Sequence, residues 1–129
     1  MFSFYRMNNV GINAPAIDML NANPEVTYKV GDALVLTNGL AAKASGTTAP
    51  THVAAGVASD GKIAAYKVQP NMEFKTTFSA DASAVSVGNK VTIGADSETV
   101  TATTASGVAT IVEKLGTGAS GTEVIVTLA

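Results

Sequence analysis

His52 is the one histidine in the chain, so any pairing of a nucleophile with an imidazole has to use it. Its neighbours, "APTHVAAG", include no acid. A carboxylate to orient the ring would have to come from elsewhere in the fold; otherwise His52 is an imidazole on a loop or strand end. Asp96 and Glu98, in "ADSE", are the sole acids two positions apart. A calcium loop needs several oxygen ligands at set intervals, so this pair reads as a solvated turn. There is no cysteine, which removes disulfides and thiolate metal sites and leaves the redox compartment open. The run "GTGASG" sets Gly116, Gly118 and Gly121 at the spacing of a nucleotide-binding loop. That loop must open a helix after a strand, and here the strand-like "TEVIVTLA" follows, so it reads as a hairpin loop. Sparse acids and the absence of tryptophan weigh against a glycosidase or a sugar-binding module. No catalytic, cofactor or metal site is expected, and the reading is non-enzymatic.

The elements that would position these residues are β throughout. "DALVLT", "THVAAGVAS", "GKIAAYKVQP", "NMEFKTTFS", "KVTIG", "ETVTATT" and "GVATIVEKL" are short and rich in β-formers, and "VTYKV" alternates Val26, Tyr28 and Val30. In "TEVIVTLA", Val124, Val126 and Leu128 share one face. The spacing of Ile63 from Tyr66 and Val68 predicts a bulge or register change between them. Met72, Phe74 and Phe78 read as core, with an exposed stripe as the alternative. Asn38-Gly39 and Asp60-Gly61 predict type I′ hairpin turns, with Gly39 and Gly61 at positive φ. The small-residue stretches 42–51 and 116–123 read as mobile surface loops.

"YKVGDALVLTNG" and "VSVGNKVTIGAD" repeat one pattern, a Val-Gly turn followed by alternating apolar residues. Gly31 and Gly88 are expected to supply a backbone conformation that other residues adopt poorly. The copies continue through Gly-Val-Ala strands, "GVAS" at 56–59 and "GVAT" at 107–110, with connections of different length. Neither unit buries a face alone. The fold class is therefore all-β, a compact small barrel or sandwich of two degenerate β-units spanning residues 25–129, with an extended N-terminal arm.

That arm, residues 1–24, opens with Phe2, Phe4 and Tyr5. Asn8, Asn9, Gly11, Asn13 and Pro15 then break regular structure, and a short helix over 15–22 is expected before Pro24. The segment reads either as an arm or as a first strand of the domain.

Of the 129 residues, 47% are hydrophobic and only 14% charged, against roughly 25% charged in an average soluble domain. Small hydroxylated residues and glycine fill the gap and suit a protein packed against neighbours. The formal charge is −2 with basic residues scattered singly, so nucleic acid is not an expected direct partner. No apolar run is long enough for a membrane helix, and the N-terminus lacks the pattern of a secretory signal.

The order "YKVGDALVLTNGLAAKASGTTAPTHVAAGVAS", "VQPNMEFKTTF", "AVSVGNKVTIGADSETVTATTASGVATIVE" resembles the small capsid decoration (cement) proteins of tailed bacteriophages. The resemblance implies a homotrimer on the outside of the shell, made in the host cytoplasm, that clamps adjacent copies of the major capsid protein. It also implies capsid contact through the arm, at Phe2, Phe4, Tyr5, Arg6 and Met7. Two rival readings are a tail or head-fibre or adhesion component, and a small β-barrel enzyme or ligand binder, which would gather His52 with distant acids in a cleft.

Overall fold

The computed structural model describes residues 1–8 and 15–129. The expected break at Asn9, Gly11 and Asn13 lies outside them. The described chain is all-β. Its strands are β1 (Ser3–Met7), β2 (Ile17–Asn21), β3 (Ala33–Thr37), β4 (Leu40–Lys43), β5 (His52–Ala54), β6 (Lys62–Lys67), β7 (Met72–Thr77), β8 (Lys90–Val91), β9 (Ala109–Lys114) and β10 (Glu123–Thr127). They form two antiparallel five-stranded sheets, ordered β1-β7-β10-β9-β8 and β2-β6-β5-β3-β4.

The repeat is deeper than its opening turn. In the first unit β3 pairs with β5 through Ala33–Val53 and Leu34–His52. In the second, β8 pairs with β9 through Lys90–Thr110 and Val91–Ala109, at the same separation along the chain. Gly31 N–H donates to Ala54 O and Gly88 N–H to Ile111 O, each at 2.8 Å. The next strand is β6 in one copy and β10 in the other, flanked by β2 and β7. Each unit then curls back on itself through one parallel bridge, Ala22–Ala41 and Phe78–Val100. A single bridge is not a ladder, so neither sheet closes into a barrel.

These equivalences correct the sequence alignment of the copies. "GVAS" (56–59) is the connection between β5 and β6; the counterpart of β9 is His52–Ala54. The connections after the turn match in length, and the difference falls in the β9–β10 hairpin, which is the longer one.

The turns are as expected. Gly31 and Gly88 have φ of +90° and +91°. Asp32 N–H donates to Lys29 O, and Asn89 N–H to Ser86 O. The side chain of the last turn residue then accepts from the first in both copies: Lys29 N–H to Asp32 Oδ2 at 2.8 Å and Ser86 N–H to Asn89 Oδ1 at 2.9 Å. Asn38-Gly39 and Asp60-Gly61 hold both central residues at positive φ, as a type I′ turn requires.

Inside the curl of the first unit lie Leu20, Tyr28, Leu34, Ala54, Ile63 and Ala65. A larger cluster fills the second unit and continues between the sheets, where Phe2, Ala33 and Val53 meet Met72, Phe74 and Ile111. Met72, Phe74 and Phe78 are core, fully buried.

Five local expectations fail. "ETVTATT" is not a strand and holds only the isolated bridges of Val100. Residues 15–22 form no helix: Ile17–Asn21 is a strand, because β6 offers a ladder, and tertiary pairing overrides a weak helical pattern. "VTYKV" is not a strand; Tyr28 is buried, its hydroxyl donating to Ala41 O at 2.6 Å and accepting from Asn23 N–H. No bulge interrupts β6, since the strand is covered on both faces, with Ile63 in the curl and Tyr66 against the shared core. The stretch 42–51 is tied down: Gly46 and Ile93 exchange backbone bonds of 2.9 and 3.0 Å, and Ala44 is fully buried.

Candidate functional site

The described parts of the segment 1–24, residues 1–8 and 15–24, lie on the domain. β1 runs antiparallel to β7, and β2 to β6, so each forms an edge. Among the five residues expected to contact a capsid, Phe2 is 1% exposed and belongs to the core, held by its N–H donating to Gly31 O. Phe4 packs against the core and meets the Tyr66 ring at 6.0 Å between centroids. Met7 is also half-buried against it. Tyr5 and Arg6 face outward. Tyr5 is the bulged residue between Phe4 and Arg6, and the Arg6 guanidinium lies 5.3 Å from its ring centroid. Arg6 Nε donates to Glu73 Oε1 at 2.8 Å. Glu73 is buried and Arg6 half-exposed, so the arginine closes over an otherwise sealed carboxylate.

Two more exposed apolar side chains of this segment sit on β2. Ile17 is 56% and Met19 62% exposed. They lie on the same side as Tyr66, which pairs with Ile17 across the ladder. Ile17 and Met19 thus share one face of their sheet with Tyr66, whose ring meets Phe4, while Tyr5 is exposed on β1. No pocket exists among the described residues, so this surface is open rather than concave.

His52 does find a carboxylate. Its Nε2 stands 2.8 Å from Asp18 Oδ2, and its Nδ1 2.9 Å from Thr51 Oγ1. Asp18 comes from β2, two strands away in the sheet, at a sequence distance that no local motif reveals. The pattern that could have found it is the ladder itself: Asp18 pairs with Ala65, and Ala65 with Ala54 beside His52. A carboxylate only accepts, so Nε2–H donates to Asp18, and Nδ1 is left within hydrogen-bond reach of the Thr51 hydroxyl. The carboxylate–imidazole–hydroxyl order is that of a nucleophilic triad. Here the ring is nearly buried, and the arrangement ties the edge strand β2 to β5.

The remaining candidates are structural. Asp96 Oδ1 accepts from Glu98 N–H, Thr99 N–H and Thr99 Oγ1 at 2.9–3.1 Å. Burial pushes its pKa up, but these hydrogen bonds outweigh it and hold the carboxyl below its ordinary value. No cluster of three or more metal-ligating side chains occurs among the described residues. In the 116–123 loop, Gly118 O accepts from Ala82 N–H at 2.7 Å and Lys114 Nζ reaches Val85 O at 2.9 Å. The glycines serve a tight strap between β9 and β10, where a Cβ on Gly118 would meet Ala82 O at 2.9 Å.

Comparison with models of protein families, with curated proteins and with solved structures finds no match to this chain.

Proposed function

We propose that this chain is a non-enzymatic structural protein that binds the outer surface of a phage capsid and clamps neighbouring major-capsid subunits, as a homotrimer on the shell. The observation that supports this reading most is that both edge strands formed by residues 1–24 expose large apolar side chains, Tyr5 on β1 and Ile17 and Met19 on β2. Apolar side chains in contiguous exposed patches mark interaction surfaces. A clamp must also transmit load without deforming, and two units joined by one continuous core suit that. Repetition over a lattice multiplies a modest affinity per copy.

The test is co-sedimentation with expanded capsids emptied of their native copy. Deleting residues 1–24 would remove Phe2 from the core, so a surface change is the informative variant. Saturable binding by the full chain, weakened at least tenfold in Tyr5→Ser with unchanged melting, supports the reading. No binding at any ratio overturns it and returns the chain to the fibre or adhesion reading.

A further inference from the structure

Asparagine is a chemically labile residue. It loses its carboxamide when the backbone nitrogen of the next residue attacks the side-chain carbonyl carbon. That step needs a free side chain, a free backbone N–H beyond it and an open approach to the nitrogen. Five asparagines are followed by a described residue, and at four of them the fold withholds one of these conditions. After Asn21, Ala22 N–H donates to Gly61 O, and Asn21 Oδ1 itself accepts from Lys62 Nζ. After Asn23 comes Pro24, which has no N–H, and Asn23 Oδ1 accepts from Glu25 N–H at 3.0 Å. After Asn71, Met72 N–H donates to Gln69 O at 3.1 Å. Asn89 Oδ1 accepts from Ser86 N–H at 2.9 Å, and the next residue, Lys90, already lies in β8.

Asn38 meets all three conditions. It stands exposed at the turn between β3 and β4, in the only Asn-Gly pair of the chain. The asparagine side chains that bond within the described residues are those of Asn21, Asn23 and Asn89, so that of Asn38 is free among them. The ladder resumes with Thr37 opposite Leu40, and Gly39 N–H makes no backbone bond among the described residues. Gly39 has no side chain to shield its nitrogen, and even a Cβ built there would meet nothing within 4 Å.

We propose that Asn38 is a site of spontaneous covalent modification in the folded protein, its carboxamide converting to aspartate and isoaspartate. The Gly39 nitrogen bonds to Asn38 Cγ, the Cγ–Nδ2 bond breaks, and Nδ2 leaves as ammonia with the proton that the Gly39 nitrogen gives up. The cyclic imide then takes up one water from solvent. Opening at Cγ gives aspartate; opening at the main-chain carbonyl carbon gives isoaspartate, with the chain now running through the former side chain. Either product sets a negative charge between Leu36 and Leu40, two exposed leucines of the hairpin. The products differ in backbone. Aspartate keeps the type I′ turn, as Asp60 does before Gly61. Isoaspartate lengthens the main chain by one carbon inside a two-residue loop, and the register of Thr37 against Leu40 is set by that loop.

The test holds the full chain in mildly alkaline buffer, folded in one sample and unfolded in urea in the other, and maps each asparagine by peptide mass. In the folded sample Asn38 is expected to shift from amide to acid at a rate comparable with the unfolded one, while Asn21, Asn71 and Asn89 stay amides. An Asn38 that converts in urea but persists in the folded chain overturns the proposal. So does a folded chain in which Asn21, Asn71 or Asn89 converts first. Asn38→Asp shows no shift at this position and melts with the wild type, whereas the isoaspartyl fraction, separated by reversed-phase chromatography and refolded, melts lower. Equal melting of the two overturns the predicted break in the β3–β4 pairing.

Discussion

Arg6 and Glu73 illustrate how a single side chain sets the cost of an edge. Glu73 is sealed on one side by the sheet and on the other by the guanidinium. Arg6→Ala leaves that carboxylate uncompensated, and a loss of about 2–4 kcal/mol in urea unfolding is expected, whereas Glu73→Gln, which keeps the acceptor, costs less. Asp32 makes a contrasting case. Its Oδ1 is buried with no partner among the described residues, yet its Oδ2 does the work that Asn89 does in the second copy. Asp32→Asn therefore stays within about 1 kcal/mol of wild type, the loss of the Lys43 contact included, while Asp32→Ala loses about 2 kcal/mol or more. Asp96 carries a pH dependence. Its folded pKa lies below the ordinary 3.8, so its contribution is complete above that value and is lost as pH falls through the folded one. Protection of the amides at residues 94–99, taken relative to their intrinsic exchange rates, should fall on acidification below about pH 4, and Asp96→Asn, which has no carboxyl to protonate, should abolish that response.

At the scale of elements, the two Val-Gly turns share one φ but not one environment. A Cβ at Gly31 would meet Met1 Cβ at 2.5 Å and Phe2 N at 3.1 Å, while Gly88 faces open space. Gly88→Ala is expected to cost about 1–2 kcal/mol from its left-handed backbone alone, and Gly31→Ala measurably more, because the N-terminal strand must shift. Both the turn and its need for glycine were legible in the repeat "VGD" and "VGN". The hairpins at Asn38 and Asp60 were legible for the same reason: a local backbone requirement selects a local residue type. β2 was not legible, because nothing within residues 15–22 records that β6 lies alongside. The Asp18–His52 contact was hidden with it. Replacing His52 with alanine should accelerate amide exchange across Ile17–Asn21 while leaving β7 and β10 protected, since the tie joins β2 to β5 alone.

The whole molecule is two copies that solve one packing problem differently. Tyr28 precedes the first turn where Val85 precedes the second, and Ala22 makes the closing bridge where Phe78 makes the other. Each unit thus sets an aromatic ring at its closing bridge but supplies it from a different strand end. Tyr28→Val should leave a cavity worth about 3 kcal/mol or more, and Ala22→Phe should overpack. The double variant transplants the second unit's solution, so its loss is expected to fall well short of the sum, a coupling that a double-mutant cycle reads directly. The duplication was visible in sequence at its turns, whereas the true partner of β9 was obscured. Small residues recur too often in this chain for "GVAS" and "GVAT" to be a reliable match.

The place of β1 has a consequence for how the chain is made. It is the first strand in sequence, yet it belongs to the sheet of the second unit, and its only ladder is with β7, more than sixty residues on. The first unit has all its own strands by Lys67 and can assemble from neighbours in the chain. Phe2 and the Ser3–Met7 strand must wait, unpaired, until Met72–Thr77 has been synthesised and has begun to pair with β10. Loop closure over that distance is slow relative to hairpin formation, and an apolar strand left waiting is open to the wrong partner. A strand made more than sixty residues ahead of its partner is thus among the last to find its place.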